Sequence, residues 1–204
     1  MHIGIAGNIG SGKTTLTRML STHYGWIPKY ESVTFNPYLE DYYKDIPRWS
    51  YNLETYFLAQ RFKDVLEIAR SKDVIIQDRT LAEGVHIFVK NNLELGNLSS
   101  RDYDTYMQLY EVMMSMVSPP DLLIYLKCSI PHLVGNIQKR GRDYEQSISL
   151  EYLGGLNRRY EEWISEYKGK LLIIDADNID FQNNPEDFSA ITDKIDAELF
   201  GLFK

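Results

Sequence analysis

The sequence predicts an α/β protein in which a parallel, five-stranded sheet is covered by helices on both faces. Two observations carry this expectation. Short apolar runs rich in β-branched residues recur at 2–6 (HIGIA), 73–78 (DVIIQD), 121–126 (DLLIYL) and 170–175 (KLLIID), each separated from the next by a long stretch with helical periodicity. None of these runs alternates polar and apolar residues, so they suit strands buried on both faces. The strand–helix–strand order makes neighbours parallel and gathers ligands at the carboxyl ends of the strands.

In chain order, the first strand (2–6) runs into a glycine-rich loop and a helix, and WIPKYES (26–32) supplies the fifth strand. Pro47 opens a segment without further breakers, which reads as one long helix over 47–70. Tyr106, Leu109, Tyr110, Met113 and Val117 follow an i, i+3, i+4, i+7, i+11 spacing, so 105–117 forms an amphipathic helix that Pro119 and Pro120 end. Two more helices are expected over 149–168 and 186–202. No internal repeat or low-complexity linker interrupts the pattern, and 1–204 reads as one domain.

Composition narrows the function. With 204 residues, 44% hydrophobic and 25% charged, the chain can bury one substantial core. A formal charge of -7 argues against a dedicated binder of nucleic acid or anionic membrane, so any anion site must be local. The single cysteine, Cys128, rules out an intramolecular disulfide, and the first residues form a strand pattern in place of a secretory leader, which points to a reducing, cytoplasmic setting. No apolar run approaches the ~20 residues of a membrane-spanning helix.

Residues 7–15, GNIGSGKTT, hold Gly7, four residues, then Gly12-Lys13-Thr14, the G-x-x-x-x-G-K-[ST] pattern in its required place between a strand and a helix. Such a phosphate loop (P-loop) over Gly7, Asn8, Ile9, Gly10, Ser11, Gly12, Lys13, Thr14 and Thr15 wraps phosphates with backbone N–H groups. The helix start adds a favourable dipole, Lys13 reaches the β- and γ-phosphates, and the Thr14 hydroxyl ligates Mg²⁺. The expected fold is therefore a three-layer one of the P-loop NTPase type, and the expected cofactors are ATP and Mg²⁺.

Hydrolases, motors and kinases share this loop, so the acceptor must be argued from other strand ends. Glu31, at the end of the second strand, is either a base facing the γ-phosphate or a solvated strand-end carboxylate. Asp78 and Arg79 end the third strand; they hold magnesium and steady the transferring phosphoryl, or they form a surface ion pair. Lys139, Arg140 and Arg142 surround Gly141 in QKRGRDYE (138–145), which is a flap closing over the phosphates across about 138–146 or a basic helix end favoured by the dipole.

Taken in order, GNIGSGKTT, ES at 31–32, NPYLEDYYKD at 36–45, DRT at 78–80 and KRGRDYE at 139–145 resemble the deoxynucleoside kinases, most closely the bacterial branch with deoxyadenosine and deoxyguanosine kinases. The resemblance implies transfer of the ATP γ-phosphate to the 5′-hydroxyl of a deoxyribonucleoside in nucleotide salvage, by a homodimer packed through long helices. The 105–117 stripe is a candidate dimer surface, and plain core packing explains it equally well. By motif, Glu31 resembles the base that activates the 5′-hydroxyl and Arg79 the arginine that orients it. Tyr43 and Glu145 match the pair that grips the sugar 3′-hydroxyl, and Phe88 the aromatic that stacks on the base.

Where many relatives read the base with a glutamine in the long helix, an arginine seven residues on and an aspartate after the strand-end motif, this chain has Glu54, Arg61 and Gly84. An ionised carboxylate only accepts hydrogen bonds, so Glu54 suits guanine's N1–H and 2-amino edge while Arg61 donates to O6 or N7; alternatively Glu54 pairs with Arg61 and shape selects the base. A purine deoxynucleoside is expected, deoxyguanosine slightly ahead of deoxyadenosine. Two rival functions are a thymidylate-type monophosphate kinase, for which Arg48 and Arg101 are available but Glu31 would repel the acceptor phosphate, and a non-catalytic nucleotide-dependent switch.

Overall fold

The computed structural model describes residues 1–31, 36–142, 145 and 148–201. Five parallel strands form one sheet: β1 (His2–Gly7), β2 (Ile27–Lys29), β3 (Ile75–Asp78), β4 (Leu122–Lys127) and β5 (Leu171–Asp175), in the spatial order β2-β3-β1-β4-β5. β1 is central, flanked by β3 on one side and β4 on the other. The chain fills one side of β1 and then the other, which opens a crevice at its carboxyl end. The fifth strand is shorter than the expected 26–32, and position 32 lies outside the described residues. It is an edge strand, where Pro28 is tolerated because its missing N–H leaves no inner ladder bond unmade.

Both sheet faces are covered, as the unbroken apolar runs require. Along β4, Leu122, Ile124 and Leu126 face a core shared with Leu16 and Leu20 of α1 (Lys13–Tyr24), Leu133 of α7 (Ile130–Arg140) and Ile191 and Ile195 of α9 (Pro185–Phe200). The alternate residues Leu123 and Tyr125 face Leu156, Tyr160 and Trp163 of α8 (Leu150–Glu166).

The long helix, α3 (Ile46–Arg70), starts where Asp45 accepts a hydrogen bond from the Arg48 amide at 3.1 Å, with Pro47 in its first turn. A short α2 (Leu39–Lys44) precedes it. After β3 come α4 (Leu81–Glu83), a π-helical turn over Gly84–Val89 and α5 (Lys90–Glu94). The amphipathic helix α6 is Ser100–Met114 and stops before Val117. Of its expected stripe Tyr106 is fully buried and Tyr110, Met113 and Val117 pack against the same core, while Leu109 is exposed, as are Val112 and Met116 outside the stripe. α7 ends at Gly141, whose φ of 65° is the left-handed cap geometry that glycine adopts without strain. The expected flap thus begins in the last turn of α7, and residues 143, 144, 146 and 147 of it lie outside the described residues. The helix expected over 186–202 is α9, with residue 202 also outside them. Among the described residues no helix is long and apolar enough to cross a membrane.

Candidate active site

At the carboxyl end of β1 the chain turns through Asn8–Gly12 into α1. Gly10 (φ 85°) and Gly12 (φ 91°) occupy left-handed backbone positions that a side chain would strain. Asn8 fixes the loop from beneath: its side-chain amide donates to the Leu153 carbonyl and to Asn157 of α8, both at 3.2 Å, and its Oδ1 accepts from the Ile9 amide at 2.8 Å. Those bonds commit the Asn8 side chain and the Ile9 N–H to holding the loop's shape. Lys13 is buried and donates to the Asn8 carbonyl at 2.9 Å. Burial, with Arg79 close by, lowers its ammonium to about 8, as expected of a cation poised for an anionic ligand.

Thr14 donates to Asp78 Oδ2 at 2.5 Å, and Asp78, at the end of β3, is buried with its second oxygen unpartnered. Burial raises its pKa against the opposing pull of Lys13. A hydroxyl and a carboxylate side by side under a phosphate loop are the sparse protein donor set with which Mg²⁺ is held once phosphates and water complete its shell.

The next residue, Arg79, is the one described non-glycine residue with positive φ (71°). Its amide bonds the Ile5 carbonyl at 3.0 Å, and the strained backbone turns its side chain into the cleft. There Nε contacts Glu31 at 3.0–3.1 Å, Nη1 donates to Tyr160 at 2.7 Å and to Glu83 at 3.3 Å, and the guanidinium lies 4.7 Å above the Phe88 ring. Glu83, fully buried, also caps α4 through the Thr80 amide and accepts from the Gly7 amide, so it ties Arg79 to the phosphate loop. No sequence signal singled out Glu83; the capping pattern Thr80-x-x-Glu83 was the available one.

Glu31 is neither solvated nor isolated. Arg61 Nη2 donates to it at 2.5 Å from α3, opposite Arg79. Burial alone would raise its carboxyl, but the two guanidiniums overcome that and hold it at about 2. The Asp78–Arg79 pair is likewise no surface ion pair, since both residues are buried and each is engaged elsewhere.

Arg61 therefore pairs with Glu31, and among the described residues no ion pair joins it to Glu54. Glu54 is 2% exposed, has an Oε2 with no partner among the described residues, and is pushed up to about 8 by burial, with Arg61 opposing and Glu31 reinforcing the shift. Gly84 sits in the π-helical turn where an added Cβ would lie 2.9 Å from the Tyr106 hydroxyl and 3.1 Å from Arg61 Nη1.

One cleft is lined by Lys13, Thr14, Glu31, Asp78 and Arg79 at its floor and by Tyr43, Glu54, Arg61, Phe88 and Glu145 along its walls. Tyr42 and Tyr152, hydrogen-bonded to each other at 2.9 Å, line it too and were not anticipated. Glu145 is buried and bound by Arg140 at 2.5 Å and Arg142 at 3.2 Å, so the basic cluster and the expected sugar-gripping carboxylate are one linked unit. A second cleft runs from Gly10–Thr15 past His132, Asn136 and Lys139, with residues 176–183 on its wall. The two clefts share Gly10, Lys13, Thr14, Arg140 and Arg142. Arg48, exposed and stacked on Trp49, and Arg101, exposed at the start of α6, line neither.

The family model for deoxynucleoside kinases matches residues 3–200. The chain belongs to the deoxynucleoside kinase family. It is 40% identical over 190 residues to a deoxyadenosine/deoxycytidine kinase of Bacillus subtilis strain 168, covering 90% of this chain and 88% of that one. To the deoxyguanosine kinase of the same strain it is 34% identical over 194 residues, 93% of either chain. Its fold superposes with a TM-score of 0.87 on a deoxyadenosine kinase from M. mycoides carrying the products dCMP and a flexible dCDP, at 33% identity over 97% of this chain and 100% of that one. A structure of that enzyme with dATP bound gives 0.85 at 35% identity, covering 96% and 100%. The chain is accordingly an ATP-dependent phosphotransferase acting on a deoxynucleoside, and the monophosphate-kinase and switch alternatives fall away.

Proposed function

We propose that the kinase transfers the ATP γ-phosphate to the 5′-hydroxyl of a purine deoxyribonucleoside, with ATP in the second cleft and the nucleoside in the first. The observation that carries this reading is the meeting of two clefts at Lys13 and Thr14, with Glu31 facing the junction.

In this reading Lys13 and the amides of the 7–15 loop bind the β- and γ-phosphates, and Arg140 and Arg142 leave Glu145 to neutralise charge that develops as the phosphoryl moves. Thr14 and Asp78 would hold Mg²⁺, which supplies charge neutralisation between the β- and γ-phosphates. Glu31, ionised throughout the physiological range, accepts the 5′-hydroxyl hydrogen bond and takes its proton. Its low basicity suffices because phosphoryl transfer is loose and needs little deprotonation before the bond to phosphorus forms. Arg79 orients the same oxygen, Phe88 stacks on the base, and Tyr43 with the released Glu145 holds the 3′-hydroxyl. We place the enzyme in the cytoplasm as a single domain and a homodimer, the last supported by exposed Leu109 and Val112 on α6 and Met116 just after it.

Glu31→Gln tests the assignment: kcat should fall roughly a hundredfold or more while the KM for ATP changes little. Unchanged kcat in a folded variant would remove Glu31 from the reaction.

A further inference from the structure

The part of the acceptor cleft remote from the phosphate loop holds buried polar atoms that no described residue satisfies, Glu54 Oε2 and Arg61 Nε and Nη1, and the Tyr106 hydroxyl, behind the lining, is a further one. A buried polar group left without a partner is destabilising, so the Glu54 and Arg61 atoms on the cleft wall mark where a polar ligand edge completes the bonding. Glu54 lies two helical turns before Arg61 on α3, about 10 Å along the axis from the residue that clasps Glu31.

Glu54 is faced by Arg61 from its own helix, Glu31 and Arg79 from the strand ends, Tyr42 from α2, Tyr106 from α6 and Tyr152 from α8. Arg61, the cation that acts on it most, donates through Nη2 to Glu31, and among the described residues no ion pair to Glu54 offsets its burial. A carboxyl so placed favours its neutral form.

Resting on the reading of this cleft as the nucleoside site, we infer that Glu54 sets base selection through its own protonation state. As a carboxylic acid it has one O–H donor and one carbonyl acceptor, which pair with the 6-amino group and N1 of adenine or the 4-amino group and N3 of cytosine. By exchanging the roles of its oxygens the acid also pairs with O6 and N1–H of guanine. As a carboxylate it only accepts: it meets guanine's N1–H and 2-amino group well, but sets a lone pair against adenine N1 or cytosine N3. The acid is permissive, and the carboxylate selects guanine. The position of Glu54's titration, at about 8, puts the change within reach of ordinary assay conditions.

The test is kcat/KM for deoxyguanosine and for deoxyadenosine from pH 7 to pH 9, in the native enzyme and in Glu54→Gln. Taking the ratio cancels groups that serve both substrates alike, Lys13 among them. The dG/dA ratio should rise about tenfold over this range in the native enzyme, following the tenfold loss of the acid form per pH unit above its pKa. In the amide variant it should be flat. A flat native ratio, or an equal rise in Glu54→Gln, would overturn the inference. Should the variant not fold, calorimetry of the native enzyme at pH 9 in two buffers of different ionisation heat decides. Deoxyadenosine binding should take up close to one proton per site and deoxyguanosine markedly less; no uptake with deoxyadenosine would overturn it. Turnover with a flat ratio removes this inference alone, whereas no turnover with any nucleoside removes the reading of the cleft as well.

Discussion

Glu31 and Glu54 are carboxyls on one cleft wall that titrate in opposite directions, to about 2 and about 8. The difference lies in their partners: Glu31 is clasped by Arg61 and Arg79, and Glu54 by neither. The raised value has a cost to stability. Between the ordinary carboxyl range and pH 8 the unfolded chain has released the Glu54 proton and the native state has kept it, so native stability falls as pH rises through that window. Glu54→Gln removes the dependence. Its Tm relative to the native enzyme should climb steadily from pH 5 to pH 8 in thermal melts, and a constant difference would mean that Glu54 is ionised in the folded state. Which residues line the cleft floor was legible from the sequence, because Lys13, Thr14, Glu31, Asp78 and Arg79 sit beside glycines or at strand ends. The state of Glu54 was not: it depends on tyrosines from α2, α6 and α8, far away in sequence, and on Arg61 turning to Glu31.

The phosphate loop joins β1 to α1 and is held from below by Asn8 and Glu83 and from the side by Asn136, which donates to the Gly10 carbonyl at 2.8 Å. Gly10 has no room for a side chain: a Cβ there would lie 2.8 Å from the Leu133 backbone oxygen, in a left-handed conformation that itself costs roughly 1–2 kcal/mol. Gly10→Ala should therefore lower Tm and weaken the stabilisation that ATP confers, measured by melts with and without nucleotide. An unchanged ATP shift would show that the loop shape is not needed for donor binding. Four strands were legible as unbroken apolar runs because both sheet faces are buried. The π-helical turn at Gly84–Val89 had no local signal, since it arises where the segment accommodates α3, α6 and α8 at once.

At the scale of the whole molecule, the two halves of the sheet meet at β1 and the two clefts meet at the loop that follows it. On the outer side, Leu109 and Val112 of α6 and Met116 just after it are in contact with solvent, and the proposed homodimer covers them. Val112→Glu should halve the mass found by light scattering, and a native enzyme already monomeric at micromolar concentration would contradict that assembly. The apolar stripe was legible, and in the structure Tyr106, Tyr110, Met113 and Val117 of it face the core; Val112 and Met116 of the exposed face were not part of it. The central claim is that the cleft bounded by Glu31, Glu54 and Glu145 takes a nucleoside and not a nucleotide. The most direct measurement is ADP release from Mg·ATP with dA, dG, dC and dT in turn, then with the corresponding monophosphates. Release with the purine nucleosides, and little with any monophosphate or with no acceptor, is the predicted result; release that requires a monophosphate, or that is independent of acceptor, would contradict it.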